Sequence, residues 1–293
     1  MNKLGIFMNF WEKKWDADYE KYIKKVADIG YDTLEFQAQP LLDIADEKLM
    51  NLKRMADDRG IELTYSLGLD KAFDISSSDE NIRKRGIEYL TNIMEKVAVM
   101  DGKIISGVSY AAWGIPSSTD INKAELTHNS IESMKVLLKV AEQLDIVYAV
   151  EAVNRFEGVV LNTAEEAVNY VSMLDSKNIG ILLDTYHMNI EENSIGEAIR
   201  LAGDKLVGFH VGENNRTAPG RGHLDWDEIF KSLKDINYKG RIVAEPFVMA
   251  GGEVGRDIYV WRDLIKDVSE AKLDEEAKYM LNFEKNMMEK WGM

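Results

Sequence analysis

Two periodicities alternate along this chain. Short apolar runs rich in Ile, Val, Leu and Phe read as buried strands, and each is followed by a stretch whose apolar positions recur at helical spacing. In Ile146-Val-Tyr-Ala-Val-Glu-Ala-Val-Asn-Arg-Phe-Glu157 an apolar run ends abruptly in charge, with Glu151 at its carboxyl end. The same pattern returns in Ile179-Gly-Ile-Leu-Leu-Asp184, in Leu206-Val-Gly-Phe-His210 and in Arg241-Ile-Val-Ala-Glu245. The four terminal residues lie 33, 26 and 35 residues apart, about the length of one strand, loop and helix, so their ends can converge at one mouth.

Upstream the rhythm is the same. Lys3 to Met8 reads as a strand, and Asp16 to Ile29 as a helix through Tyr19, Tyr22, Ile23 and Val26 that Gly30 stops. Thr33 to Phe36 is a second strand, Asp46 to Arg59 a helix ended by Gly60, and Ile61 to Leu67 a third strand. A long helix over Asp79 to Met100, a strand over Lys103 to Val108 and a helix over Leu126 to Leu144 lead to the stretch above. Helices are expected near Thr163 to Met173, Ser194 to Leu201 and Trp226 to Ile236.

Eight strands alternating with helices predict an α/β fold, a closed (β/α)8 TIM barrel. One domain is expected over residues 1–293, with the barrel at about 3–254 and two further helices at about 255–293, packed outside it. The first of these would run through Tyr259, Val260, Leu264 and Ile265, the second through Ala277, Met280, Leu281 and Phe283. The longer connections Leu69 to Asp79 and Ala111 to Glu125 are expected at the rim of the mouth.

Composition narrows what that mouth serves. With 45% hydrophobic residues the chain can bury a large core, and 51 acidic against 36 basic residues give a net charge of -15. That charge repels phosphate backbones and anionic membrane surfaces, so nucleic acid is not an expected partner. There is no Cys, hence no thiolate chemistry, and no apolar run approaches the roughly 18 residues of a membrane span. The start Met1-Asn-Lys-Leu-Gly-Ile-Phe7 shows no signal-peptide pattern, and a cytoplasmic location is expected.

Two Glu, one Asp and one His supply oxygen and nitrogen donors without sulfur. Such a set suits Mn²⁺, Co²⁺ or Mg²⁺ with positions left open for a substrate, and suits a hydrolytic zinc site less well. Beyond the strand ends lie Asn154, Arg155 and Glu157, then His187 and Asn189, then Glu213, Asn214 and Arg216, polar enough to line a site for a polyhydroxylated ligand. Phe7, Trp15 and Trp113 can offer apolar surface to the C–H faces of a sugar.

These residues also carry a resemblance. Glu-Ala-Val-Asn-Arg-Phe-Glu at 151–157, Leu-Asp-Thr-Tyr-His-Met-Asn-Ile-Glu-Glu at 183–192, Phe-His-Val-Gly-Glu-Asn-Asn-Arg at 209–216 and Ala-Glu-Pro-Phe at 244–247 resemble the ketose 3-epimerases. These are the D-tagatose and D-psicose (D-allulose) 3-epimerases among the xylose-isomerase-like barrels. The likeness runs from Gly5 to about Asp263, including Val260-Trp-Arg-Asp263. It implies a divalent metal held by Glu151, Asp184, His210 and Glu245, with Glu151 and Glu245 also serving as the acid/base pair. It further implies that Glu157, His187 and Arg216 hold the O1 and O2 end of a ketose, that Phe7, Gly107 and Trp113 belong to the substrate site, and that the protein is a homodimer or homotetramer.

The chain departs from the family pattern in two places. Phe7-Met-Asn9 stands where psicose epimerases have two Tyr, which is nearer the tagatose type, and Gly107-Val-Ser-Tyr-Ala-Ala-Trp113 differs from Gly-Ala-Leu-(Tyr/His)-Ser-Tyr-Trp. Both bear on which ketose is preferred and neither touches the metal positions. Other residues read blandly: His128 as a surface residue, His223 as a loop residue near the mouth, Asp225 as a helix cap, and Met280, Met287, Met288 and Met293 as helix packing. Glu35, in the second strand, reads as a buttress for a ligand or an Arg.

Inversion beside a carbonyl requires a proton to leave one face of the carbon and another to arrive on the opposite face, which two carboxylates from different strands can do. An aldose-ketose isomerase would use the same metal barrel between C1 and C2. A repair endonuclease would need a basic face and more than the four His present. A sugar-binding barrel without catalysis is the non-enzyme alternative.

Overall fold

The computed structural model describes residues 2–116 and 120–293. Eight strands close into a parallel barrel in sequence order: β1 (Leu4–Phe7), β2 (Thr33–Gln37), β3 (Glu62–Leu69), β4 (Ile104–Ala112), β5 (Val147–Ala152), β6 (Ile179–Asp184), β7 (Leu206–Val211) and β8 (Arg241–Ala244). Among the described residues ten α-helices join and flank them: α1 (Tyr19–Ile29), α2 (Asp46–Asp57), α3 (Glu80–Val99), α4 (Lys123–Leu144), α5 (Ala164–Ser172), α6 (Thr185–Glu191), α7 (Ile195–Ala202), α8 (Trp226–Asp235), α9 (Gly252–Asp257) and α10 (Glu270–Trp291). The expected TIM barrel is the fold observed, and each expected strand is present.

The helix starts follow a local rule. Asp18, Asp79, Asn122, Thr163, Ser194 and Asp225 each cap a helix by accepting a backbone N–H from its first turn, an arrangement that contributes about 1 kcal/mol apiece. The buried strands are apolar on both faces because helices cover the outside and side chains fill the inside. Within the barrel Ile104, Ala149 and Leu182 form a small apolar layer with Val207 against it. Strand alternation places Glu151 on the face of Ala149 and Asp184 on the face of Leu182, one layer nearer the carboxyl end. Gly107 adopts φ +97°, and a Cβ there would come within 2.3 Å of the Leu67 carbonyl oxygen, so β4 can lie this close to β3 only with glycine.

Past the barrel one expectation fails. Residues 259–265 are not helical: α9 ends at Asp257, and Tyr259 takes φ +61°. The apolar residues there follow a tertiary demand. Ile258 and Val260 join Phe7, Phe247 and Val254 in a cluster, with Trp15, Trp113 and Leu264 against it, which roofs one side of the mouth. The segment is held by Val260 N–H to the Gly255 carbonyl and Leu264 N–H to the Val248 carbonyl, at 2.8 and 2.9 Å. The second expected helix is α10, which packs on α8 and α1 with Met280, Leu281 and Met288 inward. Tyr31 donates to the Ala277 carbonyl at 2.9 Å and Phe283 meets Trp226 edge-on.

Glu284 on α10 is fully buried, and neither carboxylate oxygen has a hydrogen-bond partner among the described residues. Burial pushes its pKa well above the ordinary carboxyl value. The folded state therefore holds a proton that the unfolded chain releases above about pH 4.3, so stability falls as pH rises through that value toward the folded pKa. Glu284→Met should raise stability at pH 7 to 8 by about 1 to 3 kcal/mol or more, and the gain should shrink as pH falls below about 4, where folded and unfolded chains both hold the proton, as read by denaturant melts across that range.

Candidate metal centre and active site

Four side chains meet at the carboxyl end of the barrel. Glu151 is the penultimate residue of β5, Asp184 the last of β6, His210 the penultimate of β7, and Glu245 follows β8 directly. Asp184 and His210 are register partners, and Glu245 N–H bonds the Val211 carbonyl, so the strand ladder itself sets these spacings. One ligand atom from each lies within 4.8 Å of the others, and all four residues are buried.

Buried polar atoms are normally paired, yet Glu151 Oε1, Asp184 Oδ2 and both ring nitrogens of His210 have no hydrogen-bond partner among the described residues. Burial, with Glu245 beside it, pushes the Glu151 pKa well up, and burial raises that of Asp184 against the pull of His187 and His210. A divalent cation would answer both the missing partners and the crowding of negative charge, and the hard oxygen and imidazole donors suit one.

His210 is oriented from behind. Its Nε2 lies 3.0 Å from Glu35 Oε1 and its Nδ1 3.4 Å from Glu245 Oε2. Burial works against a charge on this ring, but Glu35 and Glu245 outweigh it and hold its pKa above the ordinary value. Glu35 is anchored by Thr64 Oγ1 and Ser106 Oγ, which donate to its Oε2 at 3.0 and 3.3 Å. It thus stands behind a candidate metal ligand, with Nδ1 left to face the cluster.

A cavity opens over this cluster. Glu151, Glu157, His187, Arg216 and Glu245 form its polar side, and Phe7, Trp15, Val108, Trp113, Phe247 and Ile258 its apolar side. Arg216 Nη1 donates to Glu157 Oε1 at 2.7 Å and Nη2 to Oε2 at 3.3 Å, a buried two-pronged pair. Burial alone would raise the Glu157 pKa, but Arg216 and His187 hold it below the usual range. Burial pushes the His187 pKa down.

Arg216 takes φ +65°. Glu213 makes that turn possible. Its carboxylate accepts from Asn214 N–H, Leu224 N–H, Gly220 N–H and Trp226 Nε1, and the Arg216 N–H bonds its carbonyl at 2.8 Å. Glu213 therefore organises its own loop and does not line the cavity, contrary to expectation. Asn154, Arg155, Asn189 and Asn214 are also absent from the lining. Arg155 is exposed and pairs with Glu191, and Asn214 binds its own loop through the His223 N–H. Gly107 does not line the cavity either; Val108 takes that place, and glycine at 107 answers the strand approach described above. His128 and His223 are exposed, and Asp225 caps α8.

A family model for the xylose isomerase-like TIM barrel matches residues 23–277. The D-psicose 3-epimerase of Ruminiclostridium cellulolyticum is 42% identical over 98% of this chain and 98% of its own. That of Enterocloster bolteae is 41% identical over 96% of this chain and 94% of its own. The chain belongs to the ketose 3-epimerases of the xylose isomerase-like TIM barrel family. A crystal structure of the D-psicose 3-epimerase from Clostridium cellulolyticum H10 with D-tagatose superposes with a TM-score of 0.96 at 42% identity, covering 98% of this chain and 99% of that one. No helix among the described residues is long and apolar enough to cross a membrane.

If the four strand-end residues hold a cation, His210→Ala and Asp184→Asn should abolish it, as measured by elemental analysis after dialysis. Glu35→Gln should keep a full equivalent but bind it about 10- to 100-fold more weakly. Equal metal content in wild type and His210→Ala would remove this assignment.

Proposed function

We propose that this ketose 3-epimerase inverts C3 of free ketohexoses, of the D-fructose/D-psicose and D-tagatose/D-sorbose type, through proton abstraction and return by way of a cis-enediolate. The observation that carries the reading is that Glu151 and Glu245, on strands separated by β6 and β7, border one cavity directly over the cation cluster. A divalent cation, Mn²⁺ or Co²⁺ first and Mg²⁺ after them, would be held by Glu151, Asp184, His210 and Glu245 and would supply Lewis acidity to stabilise the negative charge that develops on deprotonation.

The protein does the rest. One of the two carboxylates takes the C3 proton on one face of the sugar, and the other delivers a proton to the opposite face. For the reverse epimer their roles exchange. Glu157, His187 and Arg216 hold the O1 and O2 end, so that C3 stays between the two carboxylates while its configuration is lost. The Trp15, Trp113, Phe7 and Phe247 wall takes the C–H surface of the rest of the chain and keeps bulk water from the carbanionic carbon.

An aldose-ketose isomerase would put solvent hydrogen at C1 or C2, and a sugar-binding barrel would exchange none. In D₂O with a panel of ketohexoses, deuterium should enter at C3 of the ketose alone. Label at C1 would replace the epimerase by the isomerase, and no label with any ketohexose would end the proton-transfer reading. Glu245→Gln, shown to retain metal, should lose about 10²- to 10⁴-fold in epimerisation yet still wash out the C3 proton of one epimer with retention. Glu151→Gln should do the same from the other epimer.

A homodimer or homotetramer in the cytoplasm completes the proposal. Phe156, Tyr259 and Trp261 are 54%, 51% and 71% exposed, the last two with rings 6.1 Å apart and the first two bordering one groove, an apolar surface that a second copy of the chain would cover. Light scattering at micromolar concentration should give a multiple of the 33.3 kDa chain mass, and Trp261→Asp should lower it.

A further inference from the structure

Asn154 is 1% exposed and does not border the cavity, yet it touches two of the residues that do. Its Nδ2 donates to Glu157 Oε1 at 3.2 Å and lies 2.7 Å from His187 Nδ1, while its Oδ1 accepts the Phe156 N–H at 2.9 Å. The direction of this amide is settled by partners of fixed character. A backbone N–H can only donate, so it must face Oδ1, and an ionised carboxylate can only accept, so it must face Nδ2. Arg216, which donates to both oxygens of Glu157, keeps that carboxylate ionised.

Both neighbours thus require the same orientation, and the second N–H of Nδ2 is left pointing at His187. His187 Nδ1 must therefore be an acceptor, and the ring carries its proton on Nε2. A proton on Nδ1 would set N–H against N–H at 2.7 Å. His187 lines the cavity, and its Nε2 lies 3.6 Å from Glu151 Oε1, beyond hydrogen-bond length, so this nitrogen's proton has no hydrogen-bond partner among the described residues.

We infer that Asn154 is a positioning residue that fixes the tautomer of His187, so that the imidazole presents a single N–H donor to a substrate oxygen, and that ties this donor to the Glu157–Arg216 pair. The kinetic part rests on the epimerase reading above; the tautomer does not. The same amide also sets the local backbone. Its Oδ1 contact closes a side-chain turn, and the Glu157 N–H and Gly158 N–H bond the Asn154 carbonyl at 2.9 and 3.1 Å. A purely structural role would lie in that turn alone.

Asn154→Asp separates the two roles, because aspartate keeps the oxygen that closes the turn and loses the N–H groups that face His187 and Glu157. The experiment uses protein labelled with ¹⁵N at histidine and loaded with diamagnetic Mg²⁺. The chain has four His, and the His187 signals are assigned by their loss in His187→Gln. Wild type should show His187 with an unprotonated Nδ1 and a protonated Nε2. Asn154→Asp should place a proton on Nδ1, and Asn154→Ala should give a mixture.

Thermal melting and metal content confirm that each variant is folded and loaded. With ketohexose, Asn154→Asp should lose about 10- to 100-fold in kcat/KM, most of it in kcat, because the donor acts where charge develops. A wild-type ring protonated on Nδ1 would overturn the inference. So would an Asn154→Asp protein whose proton has moved but whose turnover is within about twofold of wild type. A wild type that shows the Nε2–H ring yet exchanges no ketohexose proton would sink the epimerase reading and leave the tautomer standing.

Discussion

Three carboxylates and an imidazole crowded within 4.8 Å inside a protein are tolerable only if positive charge answers them. Much of the surrounding arrangement follows from that demand. Unpaired carboxylates in a poorly solvated site repel one another and favour protonation, which is the direction seen for Glu151 and Asp184. A divalent cation reverses that preference. The protein adds Arg216, whose charge reaches Glu151, Asp184 and Glu245, and it places Glu35 behind His210 so that the imidazole faces the cluster through Nδ1. The barrel is the part that makes such crowding repeatable, because four hydrogen-bonded strand ends cannot drift apart one at a time.

Strands and loops divide the work. The candidate metal ligands sit on or immediately after strands and need little beyond the ladder and Glu35. Glu157, His187 and Arg216 sit on a loop, a short helix and another loop, and each has a further clamp. Glu157 and His187 share the Asn154 amide, while Arg216 adopts a left-handed conformation that Glu213 and the Phe247 N–H hold from both sides. Backbone strain of this sort persists only where its neighbours over-determine it.

That division also decides what could be seen in the sequence. Strand ends were legible because a buried run that stops at a carboxylate or imidazole breaks its own pattern, and four such breaks at barrel spacing reinforce one another. Loop residues carry no period, so Glu213, Asn154 and Arg155 looked alike as polar groups near the mouth, although the first two serve the protein's interior and the third faces solvent. The motif at 151–157 marks Glu157 and Asn154 together without saying which one meets a ligand. The apolar residues from Tyr259 to Ile265 fitted a helix by spacing, but Val260 is buried against Phe7 and Phe247, contacts some 250 and 13 residues away in the chain that no local window contains. The motif around Gly107 points to the substrate site, whereas its φ and the nearby Leu67 carbonyl give a backbone reason for glycine.

The two walls of the cavity differ in how sharply they can discriminate. On the polar side, a ligand without an oxygen opposite Arg216, Glu157 or His187 would leave buried charged or donor groups unsatisfied, a penalty large enough to exclude it. On the apolar side, Phe7, Val108, Phe247 and Ile258 offer shape alone, and a hydrophobic surface distinguishes near-isosteric sugars only weakly. The chain's two departures from the family pattern, at 7–9 and 107–113, reach this second wall through Phe7 and Val108. A substitution on this wall therefore alters fit, whereas one on the polar side removes a partner that a ligand oxygen would need.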